Sequence, residues 1–403
     1  MDELTAFGRR VREIRSWRQL TLREAAGLAG LSFSFWGQVE RGEKAVTSCK
    51  TLEAMAGALR VHPSELTGQP WAPRDAVGAE AQAGLTAIET ALECYQLGAD
   101  PEVPMRSWPQ IAEDLKRLDT MSLAGDYAAQ SELAPVLLGE LHGAYLYLPQ
   151  QRPEVLLGLM EAYQSVMWTT IRLGARGLPS LVARAVQQCA ETLGDPVWLG
   201  YAAWIHGAAT GPLNRVAHYR RSVAAAENLT SQLDVGDALQ ACGMLHLSAA
   251  QAAGAQADHD TAVTHLAEAS VLATRMDTEV GTWAGLHFGS TNVGVWKTEI
   301  ALELREPGQA LDAAKTAHPE LLPCASHQAG FWIDVGRALV TEKKTRDKAV
   351  GALVHAEQLA PQRIRNDVVV REVVTGLLRQ ARRDAGGREL RGLAWRMGIA
   401  PIG

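Results

Sequence analysis

Residues 31–43, LSFSFWGQVERGE, place two phenyl rings, an indole, a carboxamide and an arginine within a few helical turns. The whole chain has five Phe, and two of them, Phe33 and Phe35, stand here beside Trp36. At 100° per residue, Phe35, Trp36 and Val39 fall on one side of a helix, and Phe33, Ser34, Gly37 and Gln38 on the other. The first side has to bury. The second carries the Gln38 carboxamide, which both donates and accepts hydrogen bonds. This is chemistry of recognition. Chemistry of bond cleavage has no comparable cluster. No G-x-S-x-G, P-loop or HExxH pattern occurs. The five cysteines, Cys49, Cys94, Cys189, Cys242 and Cys324, are far apart without a C-x-x-C, so neither a disulfide framework nor a zinc site is signalled. His259 and His265 are separated by six positions, which does not put them on one helix face as a metal pair requires. No catalytic residue, metal or cofactor is expected.

The elements that must position this stretch are helices. In DELTAFGRRVREIRSWR, the residues Leu4, Phe7, Val11, Ile14 and Trp17 recur at spacings of three and four, which predicts one apolar stripe. Thr21 and Glu24 form a capping-box pattern, Gly30 breaks the helix that follows, and Ser32 can cap the next. Gly42 ends that one. TSCKTLEAMAGALRVHPSELTG reads as two further short helices, giving five in residues 1–67. GQPWAPRDAVG, residues 68–78, reads as a linker. Residues 79–361 show no strand alternation and are rich in Ala, Leu, Glu and Gln, with Gly or Pro between segments. All helix is expected there. Three segments repeat an alanine after seven residues: Ala262 and Ala269, Ala310 and Ala317, Ala349 and Ala356. Small residues at that spacing let a second helix pack close. Residues 362–403 form a basic helical tail.

Charge divides the chain in the same way. The 403 residues have a formal net charge of −6, but residues 1–70 carry +2, residues 71–361 carry −13 and residues 362–403 carry +5. Only the two ends are suited to face a polyanion. The N-terminus has no signal-peptide stretch, and no run of about 18 apolar residues occurs, so a soluble cytoplasmic protein without a membrane partner is expected.

The stretch TLREAAGLAGLSFSFWGQVERGE resembles the helix-turn-helix of the lambda-repressor-like (XRE) regulators. It supplies Thr21, Glu24, Ala25, Ala26, Gly30, Leu31, Ser32, Trp36, Val39, Glu40 and Gly42 in register. Where those regulators usually carry Gln after the cap of the second helix, this chain has Leu22. The resemblance implies a five-helix DNA-binding head that binds a double-stranded DNA operator as a homodimer. It implies DNA contacts from Arg23, Ser32, Phe33, Ser34, Gly37, Gln38, Arg41 and Lys44. In that role Gln38 can bond adenine N6 and N7, and Phe33 can touch a thymine methyl or sugar.

The alanine seams resemble tetratricopeptide repeats, without a constant period. An XRE head on such an array is similar in layout to the Rgg/PlcR-type peptide-sensing regulators of quorum sensing. The stretches HFGSTNVGVWKTEIALEL (287–304) and 370–399 resemble long regulators of filamentous high-GC bacteria. These likenesses imply an all-α protein that senses a peptide, a small molecule or a protein partner. They point to Asn292 as a binder of peptide backbone, with Trp283, His287 and Trp296 beside it. The alternative is an interaction scaffold whose helix-turn-helix serves mainly to dimerise.

Overall fold

A computed structural model describes residues 3–46, 48–61, 63–67, 76–175, 177–210, 214–381 and 387–399. Most of the expected linker, residues 68–75, lies outside them. Regular structure among the described residues is helical throughout, with no strand. The head comprises α1 (Glu3–Trp17), α2 (Leu22–Leu28), α3 (Phe33–Glu40), α4 (Cys49–Leu59) and α5 (Pro63–Thr67). Next come α6 (Ala76–Cys94), α7 (Trp108–Ala124), α8 (Tyr127–Tyr147), α9 (Arg152–Arg172) and α10 (Leu178–Leu193). They are followed by α11 (Pro196–Ala209), α12 (Arg215–Leu229), α13 (Gly236–Ala255), α14 (His259–Ala273) and α15 (Ser290–Glu303). The chain closes with α16 (Pro307–Ala314), α17 (Ala325–Leu339), α18 (Arg346–Leu359), α19 (Pro361–Asn366), α20 (Val368–Ala381) and α21 (Arg388–Arg396).

In space these form two compact units. One comprises Met1–Trp71, Ala301–Asp312 and Ala329–Gly403; the other comprises Ala72–Ile300 and Ala313–Gln328. The C-terminal segment therefore belongs to the same body as the N-terminal head.

The head forms because its stop and start signals are strong. Thr21 Oγ1 accepts from the Glu24 amide while the Glu24 carboxylate accepts from the Thr21 amide, a closed capping box. Ser32 Oγ accepts from the Phe35 amide at 3.1 Å and starts α3. Gly42 leaves α3 at φ +68°, a conformation that favours glycine. The core is Phe7, Val11, Ala25, Ala26, Trp36, Val39, Met55, Leu59 and Leu66. One member of the expected α1 stripe departs from it. Trp17 is 80% exposed, because α1 ends there and the ring has no facing helix. Phe35 is also only half-buried, with the Lys44 ammonium 4.9 Å from its ring centre.

In the second unit each helix from α7 to α14 packs on the next in sequence, and α6 packs on α8. Helices α7, α9, α11 and α13 adjoin one another in that order and form one layer. Small residues set the spacing. A Cβ on Gly243 of α13 would lie 2.0 Å from Phe288, so only glycine leaves room for that ring. Of the expected alanine seams, Ala262 and Ala269 are buried in α14, and Ala349 and Ala356 in α18. The third does not form: α16 stops at Ala314, before Ala317 is reached.

In the first unit, α17 to α21 share a core that includes Ala329, Ile333, Leu353, Val370, Val374 and Leu393. Buried Glu357 of α18 ties the ends together, accepting from Arg365 at 3.2 Å and from Arg396 of α21 at 2.6 Å.

Candidate DNA-reading helix and ligand site

Helix α3 is pinned from within. Trp36 is fully buried, and its indole Nε1 donates to Glu40 Oε1 at 2.7 Å. The Glu40 carboxylate also accepts two hydrogen bonds from Arg15 of α1, at 2.5 and 3.0 Å. Arg15 donates in addition to the Leu20 carbonyl at 2.8 Å. A bidentate pair between side chains only 13% and 4% exposed fixes the roll of α3 against α1.

With its inner side fixed, α3 presents an outer face. Phe33 is 57% exposed and Ser34 is exposed, while Gln38 is half-buried farther along. Ser32 is exposed but its hydroxyl is engaged as the cap. Gly37 is buried beneath the arginine that follows: a Cβ there would meet Arg41 Nη1 at 3.1 Å. It contributes a close backbone and no side-chain contact. Arg23 is exposed near the start of α2. Arg41 is exposed and chelated by Glu43, with contacts of 2.7 and 2.9 Å. Such a surface pair holds weakly and can be exchanged for another anion. Lys44 is exposed over Phe35.

The second unit carries the other four candidates. Trp283 and His287 lie on the loop between α14 and α15, which is closed at its neck by the Gly281 amide donating to the Phe288 carbonyl at 2.6 Å. Ala284 at φ +49° and His287 at φ +53° take left-handed conformations that are uncommon outside glycine. The loop lies against the α7–α13 layer. Trp283 donates its backbone N–H to Gln240 Oε1 of α13 at 3.2 Å, and its ring packs on Trp198 of α11 at 4.9 Å. Tyr201, 6.1 Å from Trp283, donates to Gln164 Oε1 of α9 at 2.8 Å. Burial pushes the His287 imidazole below its ordinary pKa, opposed by hydrogen bonding to the Gly281 backbone and by Asp119. Asn292 of α15 is fully buried, and its amide nitrogen donates to the Leu286 carbonyl at 3.2 Å. It thereby holds the loop that bears Trp283 and His287. Its Oδ1 and the Nε1 of half-buried Trp296 find no partner among the described residues.

Sequence reading missed two acidic residues here, Asp119 of α7 and Glu161 of α9. Both are exposed to solvent, with the atoms of neighbouring helices close enough to penalise their charge. Crowding, with Asp119 adding repulsion, pushes the Glu161 carboxyl up to about 7, and burial raises Asp119 as well. Neither has a cation partner among the described residues. Each stands as an ordinary acidic residue on a helix, so only the juxtaposition of α7 and α9 singles them out. Among the described residues no group of three His, Cys, Asp or Glu could hold a metal ion, and no helix is long and apolar enough to cross a membrane.

The head is thus a helix-turn-helix domain, with α2 and α3 as its two helices. Residues 6–67 match the family described as a helix-turn-helix domain. A segment of 130 residues is 28% identical to the immunity repressor protein of Bacillus phage phi105, spanning 32% of this chain and 78% of the repressor. Among solved structures, the apo form of the competence regulator ComR from Streptococcus vestibularis is similar at a TM-score of 0.27 and 12% identity, covering 83% of this chain and 99% of that one.

Proposed function

We propose that this protein is a sequence-specific DNA-binding transcription regulator whose helical array takes a peptide or small-molecule effector. The observation that carries the reading is the outer face of α3. Phe33, Ser34 and Gln38 stand on a helix whose roll is fixed by Trp36, Glu40 and Arg15. Arg23, Arg41 and Lys44 flank it for phosphate contact, while Ser32 and Gly37 let the backbone approach. One head covers too little DNA for tight specific binding, so the protein acts as a homodimer reading two half-sites. The test is selection from a random duplex pool, followed by titration with Gln38→Ala. The substitution is expected to cost about 1–3 kcal/mol and to relax preference at one base pair. Unchanged affinity and preference would mean that α3 is not the reader.

On the array, the loop carrying Trp283 and His287, with Asn292 and Trp296 behind it, forms the effector site. The exposed Asp119 and Glu161 carboxylates favour a ligand that brings a positive charge. Thermal-shift screening with short basic and short neutral peptides tests this: only the basic set should raise the melting temperature, and Asn292→Ala should remove that response. A second reading is an interaction scaffold with a dimerising helix-turn-helix. It is favoured by Arg41, whose charge is engaged by Glu43. It predicts that no duplex is selected.

A further inference from the structure

The DNA-binding head is finished by a helix from the other end of the chain. Helix α20 packs against α1. Val368, at its start, joins the periphery of the head core. Two turns on, a Cβ at Gly376 would lie 3.4 Å from the Ala45 methyl, so the α20 backbone lies close to the turn that follows α3. One turn further, Arg379 Nη1 donates to the Gly42 carbonyl. These three residues lie at spacings of eight and three, a single stripe of α20. The remaining face, with Val369, Val370, Val373, Val374 and Leu377, is buried in the C-terminal core.

The turn that α20 touches matters for reading DNA. It bears Arg41 and Lys44, and it anchors the end of α3. The Gln38 backbone carbonyl accepts from the amides of Glu43 at 2.8 Å and Lys44 at 3.3 Å. Gly42 is left with an outward carbonyl, the group that Arg379 takes up. A turn at the C-terminus of a helix otherwise frays easily, since its last carbonyls lack partners.

We propose that α20 is a working part of the DNA-reading head, with Arg379 as the positioning residue that fixes the Gly42–Ala45 turn. DNA affinity then depends on the C-terminal segment, without that segment touching DNA. This rests on the reading of α3 as the DNA-reading helix, and the test keeps the two separable.

The full-length protein, a duplex selected from a random pool, and the variants Arg379→Ala, Arg379→Lys, Gly376→Val and Gln38→Ala are compared at several salt concentrations. Arg379→Ala is expected to weaken binding about tenfold, the scale of one hydrogen bond to a charged group. The salt slope should stay unchanged, because no phosphate contact is lost. Amides of Glu43 and Lys44 should exchange hydrogen faster, while those of α7 to α13 keep their protection. Arg379→Lys should recover part of the loss. Gly376→Val, which wedges α20 from Ala45, should reproduce it independently. The inference fails if Gln38→Ala loses binding while Arg379→Ala and Gly376→Val stay within twofold of the parent. It fails equally if the slope drops by about one, which would make Arg379 a phosphate contact. Tighter binding by the variants would overturn it too, since α20 would then restrain the head. Selection of no duplex by the intact protein would remove the DNA-reading assignment, and this inference with it.

Discussion

At the scale of single residues, Glu40 joins the fold of the head to its function. Its carboxylate is 4% exposed and accepts from Trp36 on its own helix and from Arg15 on α1. Removing it leaves the indole N–H without its acceptor, and the Arg15 guanidinium with its hydrogen bond to the Leu20 carbonyl but no countercharge, in a water-poor setting. Glu40→Ala is expected to destabilise the head by about 3 kcal/mol, within the range for breaking a buried pair from one side. Glu40→Gln, which keeps an acceptor but loses the charge, should cost roughly half as much. Hydrogen exchange of the α1 and α3 amides reads this directly. A loss below about 0.5 kcal/mol for Glu40→Ala would place the pair among exposed, solvent-screened ones.

At the scale of elements, glycines with opposite surroundings make opposite predictions. Gly243 of α13 gives way to the Phe288 ring, and Phe288 supplies the carbonyl that closes the Trp283 loop. Gly243→Ala must push that ring aside, and a cost of about 1–3 kcal/mol is expected from overpacking. Gly351 sits exposed in α18, with nothing within 4 Å of an added Cβ. Gly351→Ala is expected to stabilise by about 0.5–1 kcal/mol, because alanine loses less backbone freedom in a helix. Chemical denaturation of both variants checks the pair of signs. A Gly243→Ala variant as stable as the parent would contradict the close packing of Phe288 on α13, and a destabilised Gly351→Ala would contradict the open surroundings of Gly351.

For the molecule as a whole, the buried imidazoles of the array make stability depend on pH. His142 bonds the Tyr163 hydroxyl at 2.8 Å, and His218 bonds Ser248 at 2.7 Å. Burial depresses each to about 4, against a backbone hydrogen bond at Gln96 for His142 and with Arg215 and Arg221 adding to it for His218. Their ordinary value is about 6.5. Above that value both states hold a neutral ring and no penalty exists. Between about 6.5 and 4 the unfolded chain takes up protons that the folded chain refuses, so stability falls as the pH falls. The limit is about 3 kcal/mol for each ring by pH 4. Glu161 acts in the opposite sense. Its carboxyl is pushed up to about 7, so folding is relieved as the pH drops from 7 towards the ordinary carboxyl range. It touches solvent, and its effect is the smaller. Denaturation at pH 7.5, 5.5 and 4.5 should show falling stability, with His218→Asn flattening the slope. Stability that is constant over this range would refute neutral, proton-excluding imidazoles.

Local chemistry made much of the head legible. Caps and breaks are decided within four residues, so Thr21 with Glu24, Ser32 and Gly42 set the bounds of α2 and α3 wherever the helices end up. Helical period alone placed Trp36 and Val39 inside and Phe33 outside, since a 100° step needs no knowledge of the partner. The same rule failed for Trp17, because a stripe says which side could bury and not whether a helix lies opposite. It failed for Ala317, because the end of α16 comes before it. Tertiary structure alone decided the rest. The crowding of Asp119 and Glu161 arises where α7 and α9 adjoin, and neither segment hints at the other. Arg379 meets Gly42 across 337 positions of sequence. Basic composition could mark that tail as charged, but the partner of a buried guanidinium depends on which backbone carbonyl the folded chain leaves unmet, and that is settled only when distant helices pack.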